Sequence, residues 1–234
     1  MSATFTPCKK IKPYWEDQFE EVRNAGHLDY WWVRKNNLWF LYNRNTITHT
    51  PEKPYFLSKK GYEGMYPVAK RPSIWFVSTN GKWGVLDVAY PKEPLLPIKY
   101  DEIIQLDNFS GGPCIIWENN KCGIYNVFTN TFTVPIENDQ IIWNHPDFMW
   151  LQKKGKWSPY NTKTKANPDT NYDEVECGLG ATLWMFKKDG KWGIYNTWHF
   201  REENNGFDEI NLMDNDRTFS GVKDGVKGII TVKL

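Results

Sequence analysis

The side chains that most often perform chemistry are spread along this chain without a catalytic or metal-binding pattern. The histidines share no helical or metal-ligand spacing, and no Cys/His cluster has the spacing of a zinc site. Gly-x-Ser-x-Gly is absent, and Gly178-Leu179-Gly180 is typical of a turn between strands. We therefore predict that the protein is not an enzyme and has no catalytic residues, metal site or cofactor. The histidines are His27, His49, His145 and His199.

Carboxylates recur at one regular position, which we name the acidic column. One interpretation is a circle of carboxylates that binds a cation or a basic partner. The other is that each carboxylate bonds local backbone N–H groups, with a regular lysine column as a partner. A feature present in every repeat is usually structural, which favours the second. The acidic column consists of Glu20, Glu63, Asp101, Asp139, Asp173 and Asp208, and the lysine column of Lys82, Lys121, Lys156 and Lys191.

A repeated hairpin positions these residues. Its best copy is Asp189-Gly190-Lys191-Trp192-Gly193-Ile194-Tyr195-Asn196, and the residues equivalent to Gly193 stand at 84, 123, 158 and 228. The steps of 39, 35, 35 and 35 residues between them indicate a repeat architecture. Asp-Gly or Asn-Gly between β-prone runs predicts a type I′ turn. The glycine after the tryptophan leaves room for that ring or for a neighbouring backbone.

A second signature follows each hairpin and leads into the next one. Its clearest copy is Tyr100-Asp101-Glu102-Ile103, which is typical of a strand entry with an acidic turn. The unit is therefore a three-stranded meander. The predicted fold is all-β, a repeat protein of about six short three-stranded antiparallel sheets in a single domain over residues 1–234. The other copies begin at Phe19, Tyr62, Asn138, Tyr172 and Phe207.

The phase of the repeat at the two ends of the chain bears on its architecture. The chain begins and ends with half-repeats that together would complete one more unit. Propellers often close a ring in this way, so we favour a propeller-like closed toroid over an open β-solenoid-like stack. The predicted units are half-repeats at 1–26 and 217–234, a degenerate repeat with an insertion at 27–71, and repeats at 72–112, 113–146, 147–180 and 181–216.

The Gly-Lys-Trp-Gly-(Ile/Val) hairpins and Tyr-Asp-Glu-Ile segments resemble the WG-repeat (KWG-type) family of bacterial β-repeat proteins. The resemblance is close over residues 70–234 and loose over 14–69. In three copies the motif departs, because Cys122 and Lys227 replace the tryptophan and Ser158-Pro159 replaces Gly-Ile. Pro159 cannot donate to a sheet ladder. The resemblance implies a non-catalytic scaffold and brings no catalytic residues to this chain.

Composition narrows the classes of partner and the location. The formal net charge is +1, from 29 basic and 28 acidic residues, which gives no electrostatic case for nucleic acid or an anionic membrane. No apolar run approaches 18 residues, and the first ten residues lack the apolar segment of a signal peptide. We expect a cytoplasmic protein with reduced thiols, in which Cys122 is a small apolar filler.

Tryptophan is abundant, with 13 residues, and divides into two groups. Repeat-locked tryptophans are expected in the core, because repeat units bury the same positions. Aromatic residues outside the pattern are better binding candidates, since exposed Trp, Tyr and Arg form binding hot spots. The expected repeat core is Trp31, Trp39, Trp75, Trp83, Trp157, Trp184 and Trp192 with Gly84, Gly123, Gly193 and Gly228. The candidate binding residues are Trp15, Trp117, Trp143, Trp198, His199 and Arg201.

These features together predict a non-catalytic module that binds another protein. A narrower hypothesis is a bacterial immunity protein that neutralises a toxin. The alternative is a carbohydrate or cell-envelope binding protein that stacks sugars on exposed aromatic rings. An enzyme with an unrecognised site in a central channel is the least favoured class.

Overall fold

Six small antiparallel β-sheets of three or four strands make up the described part of the chain. The computed structural model describes residues 19–43, 57, 60–106, 112–145, 147–178, 182–213 and 218–232. No helix occurs among these residues, so the all-β class and the six-sheet organisation are confirmed. Three of the sheets have a fourth strand that the sequence analysis does not predict. Among the described segments, none is a helix of the length and apolarity that a membrane crossing requires.

The strands pair in the order in which they occur along the chain. The first sheet comprises β1 (Glu21–Asn24), β2 (Tyr30–Lys35) and β3 (Leu38–Asn43), and the second β4 (Gly64–Val68), β5 (Arg71–Thr79), β6 (Lys82–Asp87) and β7 (Leu96–Tyr100). The third comprises β8 (Glu102–Gln105), β9 (Pro113–Glu118), β10 (Lys121–Asn126) and β11 (Thr131–Asn138), and the fourth β12 (Gln140–His145), β13 (Phe148–Lys153) and β14 (Lys156–Asn161). The fifth comprises β15 (Glu174–Cys177), β16 (Leu183–Lys188), β17 (Lys191–Asn196) and β18 (Arg201–Phe207), and the sixth β19 (Glu209–Leu212), β20 (Thr218–Lys223) and β21 (Val226–Thr231).

The chain divides into two compact units, whereas the sequence predicts a single domain. One unit comprises residues 1–114 and 127–130, and the other comprises residues 115–126 and 131–234. The first and second sheets lie in the former unit, and the fourth, fifth and sixth sheets lie in the latter.

A tight turn joins the two hairpin strands of every sheet, and each has the type I′ backbone that the sequence predicts. Both central residues have positive φ, for example 51° and 69° at Asn80-Gly81 and 51° and 76° at Asp189-Gly190. Two sheets use Asn-Asn in place of Asn-Gly or Asp-Gly, at Asn36-Asn37 and Asn119-Asn120, because asparagine tolerates this conformation better than most residues. The twist of a type I′ turn matches the twist of the strands that it joins.

Each sheet opens with the strand that follows the acidic signature. β1 pairs with β2, and β19 pairs with β20, so the first and last sheets are each built from consecutive strands. The sequence instead predicts one unit that is joined from the two ends of the chain, and repeats that each start one strand later, at the hairpin. The closed ring, which rested on that joining of the ends, stays a prediction.

The glycine after the tryptophan admits the backbone of the fourth strand. A Cβ on Gly84 would lie 2.7 Å from the carbonyl oxygen of Leu96, and a Cβ on Gly123 would lie 2.6 Å from that of Val134. Real Cβ atoms essentially never come this close to a backbone oxygen. Of the two roles predicted for this glycine, close approach of a neighbouring backbone is therefore confirmed at both positions.

The core is aromatic, and the same three-ring cluster occurs once in each unit. The ring of Trp32 meets Tyr62 at 5.8 Å and 77°, and Trp75 at 5.6 Å and 60°. In the other unit, Trp150 meets Tyr172 at 5.7 Å and 77°, and Trp184 at 5.9 Å and 60°. These edge-to-face contacts suit the positive rim and negative face of aromatic rings.

The expected repeat core needs correction at four positions. Trp31 is half-buried, and its neighbour Trp32 is the fully buried ring instead. Trp83 and Trp192 are also half-buried, although Trp39 and Trp157 occupy the same position in their own strands and are buried. Gly228 is exposed. The other core predictions are confirmed, since these residues are buried: Trp39, Trp75, Trp157, Trp184, Gly84, Gly123 and Gly193.

Replacing Trp150 with alanine should lower the free energy of unfolding by about 3–5 kcal/mol, because the ring is fully buried at the centre of its cluster. Urea denaturation followed by circular dichroism measures this loss. Trp198→Ala is the control and should change stability by less than about 0.5 kcal/mol, since its ring is 76% exposed. Similar losses for the two variants would contradict the assignment of the core.

Candidate functional site

Carboxylates of the acidic column bond the hairpin turn of their own sheet. Glu20 accepts the backbone N–H of Asn36 at 2.6 Å and that of Asn37 at 3.2 Å. Glu63 accepts from Gly81, Asp139 from Gly155 and Asp173 from Asp189, at 3.2, 3.3 and 3.0 Å. These bonds satisfy turn N–H groups that a type I′ turn directs away from the strands. The second of the two interpretations of this column is therefore the one that the geometry supports.

Four of the carboxylates also bind the lysine column, and each pair links two consecutive sheets. Each lysine is the first residue of a return strand, and the aspartate that follows binds its ammonium group. The pairs are Lys82–Asp101, Lys121–Asp139, Lys156–Asp173 and Lys191–Asp208. In Asp139 and Asp173, one carboxylate oxygen binds the lysine and the other accepts a turn N–H, so both oxygens are occupied by contacts within the protein.

This double engagement lowers the pKa of the carboxyl groups. For Asp139, Asp173 and Asp208 the pKa lies below 3.8, mainly because the lysine ammonium donates a hydrogen bond, with turn N–H groups adding to the effect. The pKa of Lys191 is raised in return by its bond to Asp208.

These shifts fix the sign of the response to acid. A carboxyl group whose pKa is lowered by folding contributes stability above its unfolded pKa, and this stability is lost as the pH falls through the lower folded pKa. Asp173→Asn should therefore be less stable than the wild type at pH 7, and the difference should vanish on acidification below pH 3.8. Thermal melts across this range measure the effect. Asp169→Asn, at an exposed loop position, is the matched control, and an equal loss there would contradict the assignment.

Two of the cysteines are buried structural residues. Cys122 is fully buried in β10, which confirms its expected role as an apolar filler, and Cys114 is 1% exposed in β9. Burial raises the pKa of Cys114 to about 12 and, together with nearby Asp139, raises that of Cys122 to about 11. Thiols with such pKa values carry almost no nucleophilic thiolate at neutral pH.

In a Cys8→Ser background, a thiol reagent at pH 8 should label Cys177, which is exposed, and leave Cys114 and Cys122 unmodified. The latter two should react only after unfolding in urea. Peptide mass spectrometry identifies the labelled residues. Rapid labelling of Cys122 in the folded protein would contradict its burial.

One candidate binding residue with a highly exposed ring, Trp198, lies on a turn whose backbone is fixed by hydrogen bonds. Trp198 is 76% exposed between β17 and β18. The fully buried Asn196 accepts the backbone N–H groups of Trp198 and His199 through its Oδ1, at 3.0 and 3.1 Å. Its Nδ2 donates to Glu203 at 3.1 Å, so the anchor of the turn is itself fixed.

Arg201 and His199 flank this ring. Both are exposed, and the guanidinium of Arg201 donates to both carboxylate oxygens of Glu203 at 3.2 and 3.4 Å. We name residues 196–203 the Trp198 loop. Three of the predicted binding residues are thus brought together in one loop with an aromatic centre and a guanidinium at its edge.

The other three candidates are placed differently. Trp117 lies in β9 and Trp143 in β12, and both rings are half-buried. The indole N–H of Trp143 donates to the backbone oxygen of His145, which holds the ring along its own strand. The structure does not bring these two into the Trp198 loop, and Trp15 lies outside the described residues.

Two aromatic residues that are not among the predicted binding residues lie in turns like that of Trp198. Tyr90 is 75% exposed after β6, and Phe128 is 38% exposed after β10, with the guanidinium carbon of Arg71 4.4 Å from its ring centre. The available signal was an Asn or Asp at the end of the return strand, followed by an aromatic residue two or three places later. Asp87 has this role for Tyr90, and its side chain accepts the N–H of Ala89 at 3.0 Å.

Among the described residues, the largest pKa shift is that of Tyr172, and contacts within the fold cause it. The hydroxyl of fully buried Tyr172 donates to Glu202 at 2.8 Å, and burial followed by this carboxylate raises the pKa of the tyrosine. Glu202 also accepts from Asn205 at 3.0 Å. Within the described ranges, no three or more His, Cys, Asp and Glu side chains converge as metal ligands would.

Comparisons with known proteins do not identify a family. No family model matches the sequence, and no curated protein matches it. Among solved structures, similar ones include Kluyveromyces lactis Hsv2, at 6% identity and a TM-score of 0.36 over 90% of this chain and 75% of that chain. A eukaryotic initiation factor is similar at 10% identity and a TM-score of 0.43, over 84% of this chain and 58% of that chain. The TM-scores are low, so we infer neither fold nor function from them.

Proposed function

We propose that this protein is a non-catalytic module that binds another protein through the Trp198 loop. The observation that carries the proposal is a tryptophan ring with 76% of its surface exposed on a turn whose backbone is fixed by a buried asparagine. Exposing such a ring to water is unfavourable, and a binding partner would remove that cost.

The loop favours binding because its backbone is already ordered before a partner arrives. The turn is already held by Asn196, so its backbone loses little conformational entropy on association. Trp and Arg are the residue types most enriched at binding hot spots. Since Glu203 already pairs with Arg201, the ring of Trp198 is the main anchor, and we expect the partner to offer it an apolar pocket.

The narrower proposal is that the partner is a toxin that this protein neutralises by covering its surface. A fixed aromatic anchor suits tight, specific binding, and a neutralising protein needs no catalytic group of its own. The alternative of carbohydrate binding draws on the same ring, because an exposed indole can also stack on the apolar face of a sugar. The two proposals differ in the class of ligand that is lost when the ring is removed.

A pull-down from lysate with the tagged protein tests the proposal. One stoichiometric protein should be retained by the wild type and lost with Trp198→Ala. Lys163→Ala is the matched control, because Lys163 occupies the same kind of turn, in which Asn161 accepts two backbone N–H groups at 3.0 Å. Tyr90→Ala controls for the removal of an equally exposed ring.

Each outcome of this experiment is decisive. Retention of the partner by Trp198→Ala, or the absence of any partner, would overturn the assignment of the loop. A glycan array that binds the wild type and not Trp198→Ala would replace protein binding with carbohydrate binding. A captured partner whose toxicity is relieved by the wild type and not by Trp198→Ala would support the narrower proposal.

A further inference from the structure

The residue that follows the tryptophan column correlates with the number of strands in the sheet. Gly84, Gly123 and Gly193 lie in the second, third and fifth sheets, which have four strands. Phe40 and Ser158 occupy the equivalent positions in the first and fourth sheets, which have three. In these five sheets, a side chain at this position is therefore found where the described residues form no fourth strand, and glycine is found where they form one.

The correlation has a steric cause. The fourth strand crosses the glycine with a bulge, since the register shifts between Trp83 and Val85 in the second sheet. In the fifth sheet a Cβ on Gly193 would lie 2.8 Å from the carbonyl oxygen of Asn204 in the fourth strand. Even the Cβ of alanine would meet the crossing backbone at this distance, so a fourth strand requires glycine here.

The sixth sheet breaks the correlation. Gly228 occupies the glycine position in β21, opposite Gly221, yet among the described residues this sheet has only three strands. A Cβ on Gly228 would meet nothing within 4 Å. A groove of about 350 Å³ runs past it, lined in part by Phe207 and Ile230. The last sheet thus has the glycine and the space for a fourth strand, and the part of the chain that the structure describes does not supply one.

The residues around this groove are apolar and exposed. Val226 is 71% exposed and Ile229 is 69% exposed. Val85 and Ile194, which occupy the position of Ile229 in two of the four-stranded sheets, are fully buried. A strand laid beside β21 would place a cross-strand neighbour against Ile229 and would pair the backbone groups of the open edge.

We propose that the outer edge of β21 binds an extended segment of a partner protein, which adds to the sixth sheet as its fourth strand. Strand addition of this kind takes its affinity from backbone hydrogen bonds and its specificity from side-chain pockets. The site is separate from the Trp198 loop and does not depend on the function proposed for that loop.

The fourth strands within this chain define the chemistry of the segment. In two of these strands, the stretch that crosses the glycine consists of an apolar residue followed by proline and isoleucine. These stretches are Leu96-Pro97-Ile98 and Val134-Pro135-Ile136. Proline is compatible with an edge strand because it needs no N–H in the outward direction. The third, Arg201–Phe207, is polar, but Val226 and Ile229 beside the groove are apolar, so the partner segment is of the first type, a short apolar strand with a proline at its centre.

The acidic residue that follows the internal fourth strands is not needed at this site. Lys82, Lys121 and Lys191 each bind that aspartate, whereas Val226 occupies their position in the last hairpin. Recognition at β21 thus depends on the apolar and backbone contacts, without the lysine–aspartate pair of the other sheets.

A labelled peptide with the sequence of residues 94–101, Pro-Leu-Leu-Pro-Ile-Lys-Tyr-Asp, is the probe. Fluorescence anisotropy with the full-length protein should show saturable binding, and a scrambled peptide should not bind. Gly228→Phe should reduce the affinity at least about tenfold, since it copies Phe40 from a three-stranded sheet and closes the path of the strand. Melting temperature checks that this variant folds, and Lys163→Ala should bind like the wild type.

A second variant tests the register. Val226→Lys restores the lysine column at this edge and should raise the affinity for the peptide by about two- to fivefold. The gain should disappear when the last residue of the peptide is changed from Asp to Asn. No saturable binding, or equal binding by Gly228→Phe, would overturn the proposal. A dimer of the wild type that Gly228→Phe dissociates in sedimentation velocity would overturn it in favour of a second copy of this chain.

Discussion

A carboxylate shared between a lysine and a hairpin turn is the constraint on which this fold depends. Asp139 and Asp173 each accept the N–H of a turn in their own sheet and bind a lysine at the start of a return strand in the sheet before. A single exposed ion pair contributes little to stability. The pair instead positions consecutive sheets relative to each other, because one carboxylate oxygen binds the turn of its own sheet and the other binds the lysine of the preceding hairpin.

Local features of the sequence predicted the local structure well. Asp-Gly and Asn-Gly predicted the turns, because positive φ is a property of the residue itself. The fourth strands were not predicted, because Arg201–Phe207 is polar and Leu96–Tyr100 contains proline, which is depleted in strands. Only the glycine on the facing strand indicates that such a segment is paired. That information lies in the contact between two segments and cannot be read from either one alone.

The candidate site could be predicted in part. Three of its residues stand together in the sequence, and their position outside the repeat was the signal that identified them. Trp117 and Trp143 gave the same signal, yet both rings are half-buried. Exposure depends on which elements pack around a ring, and a turn anchored by Asn196 directs its tryptophan outward whereas a strand does not. Trp31 and Trp32 illustrate the same limit, since one position along a strand exchanges the two faces of a sheet.

The consecutive order of strands in every described sheet has a consequence for the speed of folding. All-β proteins usually fold slowly, because strands that are distant in the chain must meet before any contact stabilises them. Here each strand pairs with its neighbour in the chain, so only short loops must close, and the entropy lost in closing them is small. A sheet can therefore pack against the next one as soon as these two segments of the chain are free, because the aromatic clusters join consecutive sheets. During synthesis on the ribosome, the early sheets can assemble while the later ones have not yet been made.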